Sequence, residues 1–238
     1  MQHSIGIDSE AVATLASLYL LARAELAIRD RGAFHVALSG GTTPWRMLER
    51  LEPGHADWSR WHVFQVDERA LPDGDPERNL TRIRRHWIDR LDLPGPKLFP
   101  MPVNHEPSRA VAEYTAALAA NCGSVPQLDL VFLGLGDDGH TASLVPGDPV
   151  LEVADRDVAW TAHDYKGTRR LTLTYPILAR ARERAWLVTG ATKQPMLQRL
   201  LARDPSIPAG RLPQSRTVLF ADPAAIGDLL DGRDATYS

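Results

Sequence analysis

The amino-acid sequence predicts an α/β protein with a mainly parallel sheet, formed by a single domain over residues 1–238. Short apolar segments rich in β-branched and aromatic residues alternate with longer segments of helical periodicity, which is the pattern of strand–helix–strand units. Glycine and polar residues concentrate directly after the apolar segments, where the loops of such a sheet lie. No internal repeat or low-complexity segment indicates a second domain.

The composition is that of an ordinary globular protein, because 44% of the residues are apolar and 24% are charged. The net charge of −3 gives no general attraction to nucleic acid or to an anionic membrane, so neither is expected as a partner. The single cysteine, Cys122, permits no internal disulfide and suits a reducing compartment. With no recognisable signal peptide or membrane span, a cytoplasmic protein is expected.

The first half of the chain alternates helices and strands. Ser9–Arg29 is predicted to be a helix, because apolar residues recur on one face and Ser9 can cap its start. Phe34–Leu38 is an apolar segment of strand length, and Pro44 suits the first turn of the helix that follows it. The other predicted elements of this half are strand Trp61–Val66, helix Asn79–Leu91, the proline-rich connection Leu93–Pro107 and helix Ser108–Asn121.

The second half continues the alternation with shorter elements. Alternating polar and apolar residues predict strands, and amphipathic segments predict helices. The predicted strands are Leu130–Leu135, Val158–Ala162, Arg170–Thr174, Ala185–Val188 and Thr217–Phe220. The predicted helices are Pro176–Arg184, a helix that starts at Thr192, and Pro223–Leu230.

The strand Leu130–Leu135 opens into a glycine-rich, acidic turn that contains Asp137, Asp138 and His140. A carboxylate two residues from a histidine can hold the imidazole in one tautomer and make it a better base. The glycines also spell G-x-G-x-x-G, the dinucleotide-binding pattern. That interpretation is rejected, because two aspartates occupy the pyrophosphate position and Pro146 stops any helix after about one turn.

The strand Phe34–Leu38 runs into a second informative loop, Ser39–Pro44, of sequence SGGTTP. Small residues expose backbone N–H groups at a helix N-terminus, which favours an anion and most naturally a phosphate. The alternative is an ordinary capped helix start, since such turns are common. The spacing and lysine of a nucleoside-triphosphate loop are absent.

Charged residues follow further strands, at Asp67-Glu68-Arg69 and at Lys193, with Arg169 and Arg170 near another strand. Because parallel strands bring their carboxyl ends to one edge, these groups are expected to form an anion pocket beside the histidine. A phosphorylated small molecule is the natural ligand. No metal-binding spacing and no serine-hydrolase elbow occurs, so neither a metal site nor a serine hydrolase is expected.

Five motifs, in order, resemble one family. They are LSGGTTP, VDERALP, LGLGDDGHTASLVPG, RLTLTYP and TGATK, and they resemble the bacterial-type members of the glucosamine-6-phosphate isomerase/6-phosphogluconolactonase family. The resemblance implies a three-layer α/β/α sandwich of modified Rossmann-like form. It also implies hydrolysis of 6-phosphoglucono-δ-lactone to 6-phosphogluconate, in the oxidative branch of the pentose phosphate pathway, without a cofactor.

The resemblance also implies roles for individual residues. His140 would be the general base, Asp138 would orient it, and Arg69 would stabilise the developing oxyanion or the ring oxygens. The residues expected to bind the substrate and its phosphate are Ser39, Gly40, Gly41, Thr42, Asp67, Arg170 and Lys193.

Two alternatives remain open: an aldose–ketose isomerase/deaminase with Asp67 as base, and a non-catalytic sugar-phosphate sensor. The isomerases typically have tyrosine where this chain has Arg69, and a glutamate soon after the histidine, where this chain has no carboxylate until Asp148. Both differences favour the lactonase. The segment before the fourth motif departs from the family, which leaves a role for Lys166 in doubt and makes Arg169 a possible substitute. A monomer or small homo-oligomer is expected.

Overall fold

The computed structural model describes residues 1–91 and 95–230. Its strands are β1 (Gln2–Ile5), β2 (Phe34–Leu38), β3 (Trp61–Gln65), β4 (Asp67–Arg69), β5 (Lys97–Phe99), β6 (Leu130–Gly134), β7 (Val158–Trp160), β8 (Arg170–Leu173), β9 (Glu183–Val188) and β10 (Thr217–Ala221). Its α-helices are α1 (Ser9–Arg31), α2 (Thr42–Glu49), α3 (Asn79–His86), α4 (Pro107–Cys122), α5 (Tyr175–Arg180), α6 (Gln194–Leu201) and α7 (Pro223–Ile226).

Seven of the described strands form one sheet in the order β1-β10-β9-β6-β2-β3-β5, and every neighbouring pair is parallel. The strands are apolar on both faces because both faces are covered. On β2, for example, Val36 packs into one hydrophobic core and Ala37 into the other. Helices α1 to α3 contribute to the first core and α4 to α7 to the second. The predicted three-layer α/β/α architecture with a mainly parallel sheet is therefore confirmed.

The predicted strands around Val158 and Arg170 do not join this sheet. They are β7 and β8, which pair antiparallel with each other and with β4 in a separate three-stranded sheet. Arg170 is therefore the first residue of its strand, directly opposite Arg69 in the register. Strand β4 directly follows β3 at the carboxyl edge of the large sheet, and β8 runs antiparallel to β4. This pairing places Arg170 at that edge, although Arg170 begins its strand.

Several element ends differ from the sequence-based expectation. Helix α1 is capped by Asp8 and not by Ser9, because the Asp8 carboxylate accepts the N–H groups of Glu10 and Ala11. Helix α3 ends at His86 and is followed by a 3₁₀ turn. The last predicted helix divides into α7 and a 3₁₀ turn at residues 227–230.

Three short strands, β1, β4 and β5, lie where none is predicted, and one predicted helix is too long. Strand β1 is at the sheet edge, and β5 lies within the predicted connection Leu93–Pro107. The start of that connection, at Leu93 and Pro94, is outside the described residues, as are residues 231–238 of the predicted domain. Helix α5 ends at Arg180, because the chain from Glu183 onward forms β9.

Helix α1 is long and apolar enough, by length and composition alone, to cross a membrane. In this fold it contributes buried residues such as Val12, Ala16 and Leu20 to the core on one side of the large sheet. A helix that packs against a sheet needs the same apolar composition.

Candidate active site

A cleft of about 440 Å³ opens at the carboxyl edge of the large sheet. The loops after β2, β6 and β9 form its floor, and the first residues of β8 close one side. Nine of the ten residues predicted for the site line this cleft, namely Ser39, Gly40, Gly41, Thr42, Asp67, Arg69, His140, Arg170 and Lys193. The tenth, Asp138, lies behind His140.

The loop between β2 and α2 presents a helix N-terminus to the cleft. Among the described residues, no side chain caps α2. Its N-cap residue is Gly41, which has a φ of +131°. A Cβ on Gly40 would overlap the Asn79 side chain, so only glycine fits there. The buried Ser39 hydroxyl has no hydrogen-bond partner among the described residues. The loop thus offers free donors to an anion.

The loop after β6 holds a histidine–carboxylate pair. His140 Nδ1 lies 2.6 Å from Asp138 Oδ1, and the His140 backbone N–H donates to the same oxygen at 3.1 Å. The Tyr165 hydroxyl donates to Asp138 Oδ2 at 3.0 Å. Partial burial raises the pKa of Asp138, but the hydrogen bonds from His140 and Tyr165 outweigh it and hold that pKa well below its usual value. Asp138 is therefore an ionised carboxylate that accepts a hydrogen bond from the Nδ1–H of His140. This leaves Nε2 as the nitrogen with a free lone pair.

The glycines of this loop are required by close packing. A Cβ on Gly136 would overlap the His140 imidazole, and a Cβ on Gly139, at a φ of +83°, would overlap Ile207. Ala142 also has a positive φ, of 53°, and lines the cleft. Such a backbone conformation in a non-glycine residue is found most often at functional sites.

Asp67 is 5% exposed, and side chains contact both of its carboxylate oxygens. Ser143 Oγ donates to Oδ2 at 2.5 Å, and Asn79 Nδ2 lies 3.3 Å from Oδ1. Arg170 Nη1 is 3.8 Å from the same Oδ2. Asp67 thus contributes negative charge that holds Arg170 at the cleft.

Glu68, between Asp67 and Arg69, is fully buried and organises the backbone behind the site. Its two oxygens accept the N–H groups of Arg69, Asn79 and Leu80, each at 2.8 Å. The Glu68 carboxylate therefore caps α3 from outside the helix and fixes β4 against it. Sequence reasoning grouped Glu68 with the charged residues that follow a strand and did not predict this buried role.

Four cationic side chains line the cleft, namely Arg69, Lys166, Arg170 and Lys193. The carboxylates on its lining, Asp67 and Asp137, are half as numerous, so positive charge is in excess. Lys193 Nζ lies 2.7 Å from Asp137 Oδ1. Arg69 and Arg170 each have a buried Nε with no hydrogen-bond partner among the residues that the structure describes.

The two basic residues that the sequence left in doubt separate clearly. Lys166 lines the cleft, whereas Arg169 donates from Nε and Nη2 to the Thr161 carbonyl at 3.1 and 3.0 Å and is not on the lining. Of the two side chains, that of Lys166 is therefore the one that lines the cleft. Burial raises the pKa of the Cys122 thiol to about 12, so it stays protonated.

Sequence reasoning missed Tyr165 and gave Asn79 no site role. Tyr165 lies in a polar turn with no strand or helix pattern, so no signal marked it. Asn79 begins α3, where its side chain also reaches the Asp67 carbonyl at 2.9 Å. Over residues 1–91 and 95–230, no group of three or more histidine, cysteine, aspartate or glutamate side chains is arranged to hold a metal ion.

The fold and the position of the cleft define an open α/β protein with a cleft beyond the carboxyl ends of its parallel strands, where proteins of this class bind ligands. A family model described as glucosamine-6-phosphate isomerases/6-phosphogluconolactonase matches residues 7–220. The chain belongs to this family.

Individual relatives agree with the family model. The chain is 38% identical to the 6-phosphogluconolactonase of Synechocystis sp. over 206 residues, which are 84% of this chain and 85% of that protein. It is 32% identical to the 6-phosphogluconolactonase of Streptomyces coelicolor, over 93% and 92% of the two chains. Among solved structures, devB protein superposes with a TM-score of 0.85 at 25% identity, covering 96% of this chain and 99% of that one.

Proposed function

We propose that this enzyme hydrolyses 6-phosphoglucono-1,5-lactone to 6-phosphogluconate, with His140 as the general base. One observation carries the proposal: an imidazole whose Nδ1 is engaged by Asp138 at 2.6 Å lines the same cleft as four cationic side chains. A base beside an anion pocket suits a phosphorylated substrate with a hydrolysable bond. The names of the relatives support the lactone as that substrate.

His140 begins the reaction by removing a proton from water at Nε2. The oxygen of that water forms a bond to the lactone carbonyl carbon, and the carbonyl π electrons move to its oxygen. Asp138 keeps Nδ1 protonated and stabilises the imidazolium that results. General-base assistance of this kind accelerates a reaction by about 10²–10⁴-fold.

In this proposal Arg69, which lines the cleft, stabilises the oxyanion. Its guanidinium is held by Glu77, through the Glu77 carbonyl and through the carboxylate at 3.0 Å, while its Nε has no partner among the described residues. When the oxyanion collapses, the bond between the carbonyl carbon and the ring oxygen breaks. The ring oxygen then takes the proton from His140, which restores the base.

The phosphate group is bound, in this proposal, by the loop Ser39–Thr42 together with Arg170 and Lys193. The loop supplies backbone N–H groups and the Ser39 hydroxyl, and the two side chains supply charge. Arg170 is only 6% exposed, and its burial lowers its pKa. A buried guanidinium that has an unpaired N–H gains most from a dianionic partner.

The isomerase alternative needs a carboxylate base and a second carboxylate after the histidine, and the contacts of Asp67 and Asp148 do not favour these roles. Both oxygens of Asp67 already have partners within the protein, since Ser143 donates to Oδ2 and Asn79 Nδ2 lies 3.3 Å from Oδ1. The first carboxylate after His140, Asp148, accepts the N–H groups of three residues of the neighbouring turns, at 2.8 to 3.1 Å, and does not line the cleft.

We further infer that the protein acts in the cytoplasm.

The test is the hydrolysis of freshly generated 6-phosphogluconolactone, measured against its spontaneous rate. We expect rapid, saturable loss of the lactone and no ammonia release from glucosamine 6-phosphate. Ammonia release without lactone hydrolysis would favour the isomerase. Binding of 6-phosphogluconate without either reaction would favour a sensor. Either of these two results would overturn the proposal.

A further inference from the structure

Tyr165 links the histidine–carboxylate pair to the cationic side of the cleft. Its hydroxyl lies 3.0 Å from Asp138 Oδ2 and 3.2 Å from His140 Nδ1. Its ring meets the imidazole edge to face, with centroids 5.1 Å apart, and the Arg170 guanidinium carbon lies 5.1 Å from the ring centroid. The Tyr165 carbonyl also accepts a hydrogen bond from Arg170 Nη2 at 3.4 Å.

We propose that Tyr165 is a positioning residue, whose hydroxyl orients Asp138 and so His140, and whose ring holds Arg170 at the cleft. This inference rests on the proposed function of the cleft. The hydroxyl has one proton, and Asp138 is its charged acceptor. Because the Nδ1–H of His140 occupies the other carboxylate oxygen, the two donors together fix the carboxylate plane.

The turn that carries Tyr165 is suited to hold it still. The Tyr165 N–H donates to the Thr168 carbonyl at 2.9 Å, so residues 165–168 form a closed tight turn. The two central residues, Lys166 and Gly167, both have positive φ, of 53° and 85°. A lysine in that conformation is strained, and such strain is found at sites where the backbone position matters.

The phenol acts as a donor and not as a base. Burial and the hydrogen bond to Asp138 raise the pKa of Tyr165 to about 12, so the hydroxyl keeps its proton. The charged groups around it are Asp137 and Asp138 on one side and Lys166 and Arg170 on the other. The Tyr165 hydroxyl thus contacts the Asp138 carboxylate, while its ring contacts the cationic groups of Lys166 and Arg170.

The test compares Tyr165→Phe with a matched control, Tyr19→Phe. Tyr19 also donates its hydroxyl to a carboxylate, that of Glu183, at the start of β9 and far from the cleft. We expect Tyr165→Phe to lower kcat about tenfold with little change in KM, the size expected for one charge-assisted hydrogen bond. Tyr19→Phe should leave both constants unchanged.

Two further readouts separate positioning from a general loss of structure. Without the phenol, Asp138 binds the imidazolium more strongly, so the acid limb of the kcat profile should move to higher pH in Tyr165→Phe. Tyr165→Leu, which also removes the ring, should in addition raise KM several-fold because Arg170 loses its support. Nitrogen-15 NMR of His140 should show a changed Nδ1 signal in Tyr165→Phe and not in Tyr19→Phe.

The outcomes distinguish this inference from the proposed function. A wild-type protein that fails to hydrolyse the lactone overturns the proposed function, and the NMR comparison then decides the role of Tyr165. An active wild type with an unchanged kcat, pH profile and His140 signal in Tyr165→Phe would overturn the positioning role alone. Equal losses in Tyr165→Phe and Tyr19→Phe would also overturn it.

Discussion

Gly136 and His140 pack so closely that no side chain fits between them. A Cβ on Gly136 would meet the imidazole at Nδ1, well inside the 3.0 Å below which real Cβ contacts essentially do not occur. The Gly136 N–H also donates to the His140 carbonyl at 2.8 Å. The absence of a side chain at Gly136 therefore sets the position of the imidazole against Asp138.

We expect Gly136→Ala to displace the imidazole and to lower kcat about 100-fold, the lower end of what a general base contributes. The measurement is steady-state lactone hydrolysis, with circular dichroism to verify folding. Gly95→Ala is the control, because a Cβ there meets nothing within 4 Å among the residues that the structure describes. A folded Gly136→Ala protein with wild-type kcat would contradict the assigned position of the base.

Asp138→Asn should lower kcat about 100-fold or more and leave KM within a few-fold. An asparagine amide can present its N–H to Nδ1, which selects the wrong tautomer and leaves no carboxylate to stabilise the imidazolium. The asparagine variant is nearly the same size, so packing is preserved. Equal losses in kcat/KM and in product binding would point instead to a role in binding.

The lowered pKa of Asp138 predicts how this carboxylate affects the pH dependence of kcat. Its pKa in the folded protein lies well below the usual value, so it stays ionised throughout the neutral and mildly acidic range. Protonation of Asp138 therefore does not account for any loss of kcat between neutral pH and about pH 5. The kcat profile over that range should show no step that belongs to Asp138.

Arg170→Gln should raise KM about 10–100-fold, because it removes the proposed charge-assisted contact to the phosphate, of a kind worth about 1.5–3 kcal/mol. Arg169→Gln is a matched control at the neighbouring position, where the guanidinium bonds the Thr161 carbonyl outside the cleft. Binding of inorganic phosphate by calorimetry should weaken in the first variant only. A KM increase of the same size in both variants would argue against a specific phosphate contact.

Asp129 provides a stability prediction on the opposite edge of the sheet. Burial raises its pKa, but hydrogen bonds from the His35 side chain and backbone, together with the charge of Arg31, lower it below the ordinary value overall. A carboxylate with a lowered folded pKa stabilises the protein above its unfolded pKa of about 3.9, and that stability is lost as the pH falls through the folded value.

Asp129→Asn should therefore lower the free energy of unfolding by about 1–2 kcal/mol at pH 7, measured by urea titration. The difference from wild type should shrink below about pH 4, because Asp129 of the unfolded wild-type chain takes up its proton there while the folded carboxylate stays ionised to lower pH. Asp30→Asn, at an exposed carboxylate, is the control and should change stability by less than about 0.5 kcal/mol. A difference for Asp129→Asn that grows on acidification would contradict the assigned direction of the pKa.

The large sheet was predictable because its strands carry a strong local signal. Neighbouring residues such as Val36 and Ala37 face opposite cores, so strand β2 is apolar along its length. This is the composition expected of a parallel strand that is covered on both faces. The loops after β2 and β6 were predictable for a related reason, since glycines and charged residues directly after such strands are typical of ligand-binding loops. The cleft brings together Ser39, His140 and Lys193 as their positions after the strands imply.

The small antiparallel sheet was not predictable in the same way. Strands β4 and β7 have three residues each, too few for periodicity to indicate a partner or a direction. The contacts of Glu68 and Tyr165 depend on where β4 and the turn at residues 165–168 lie in space. A buried glutamate that caps a distant helix start, and a tyrosine that reaches a loop 27 residues away, leave no local pattern.

The most direct test of the central claim is to compare turnover and binding in His140→Gln. Glutamine has no basic nitrogen, so kcat for lactone hydrolysis should fall by about 10²–10⁴-fold. Binding of 6-phosphogluconate, measured by calorimetry, should stay within a few-fold, because the cationic groups are untouched. His105→Gln, which alters an exposed histidine paired with Glu113, should match wild type in both. A His140→Gln protein that binds the product and keeps a kcat within about threefold of wild type would show that His140 is not the base.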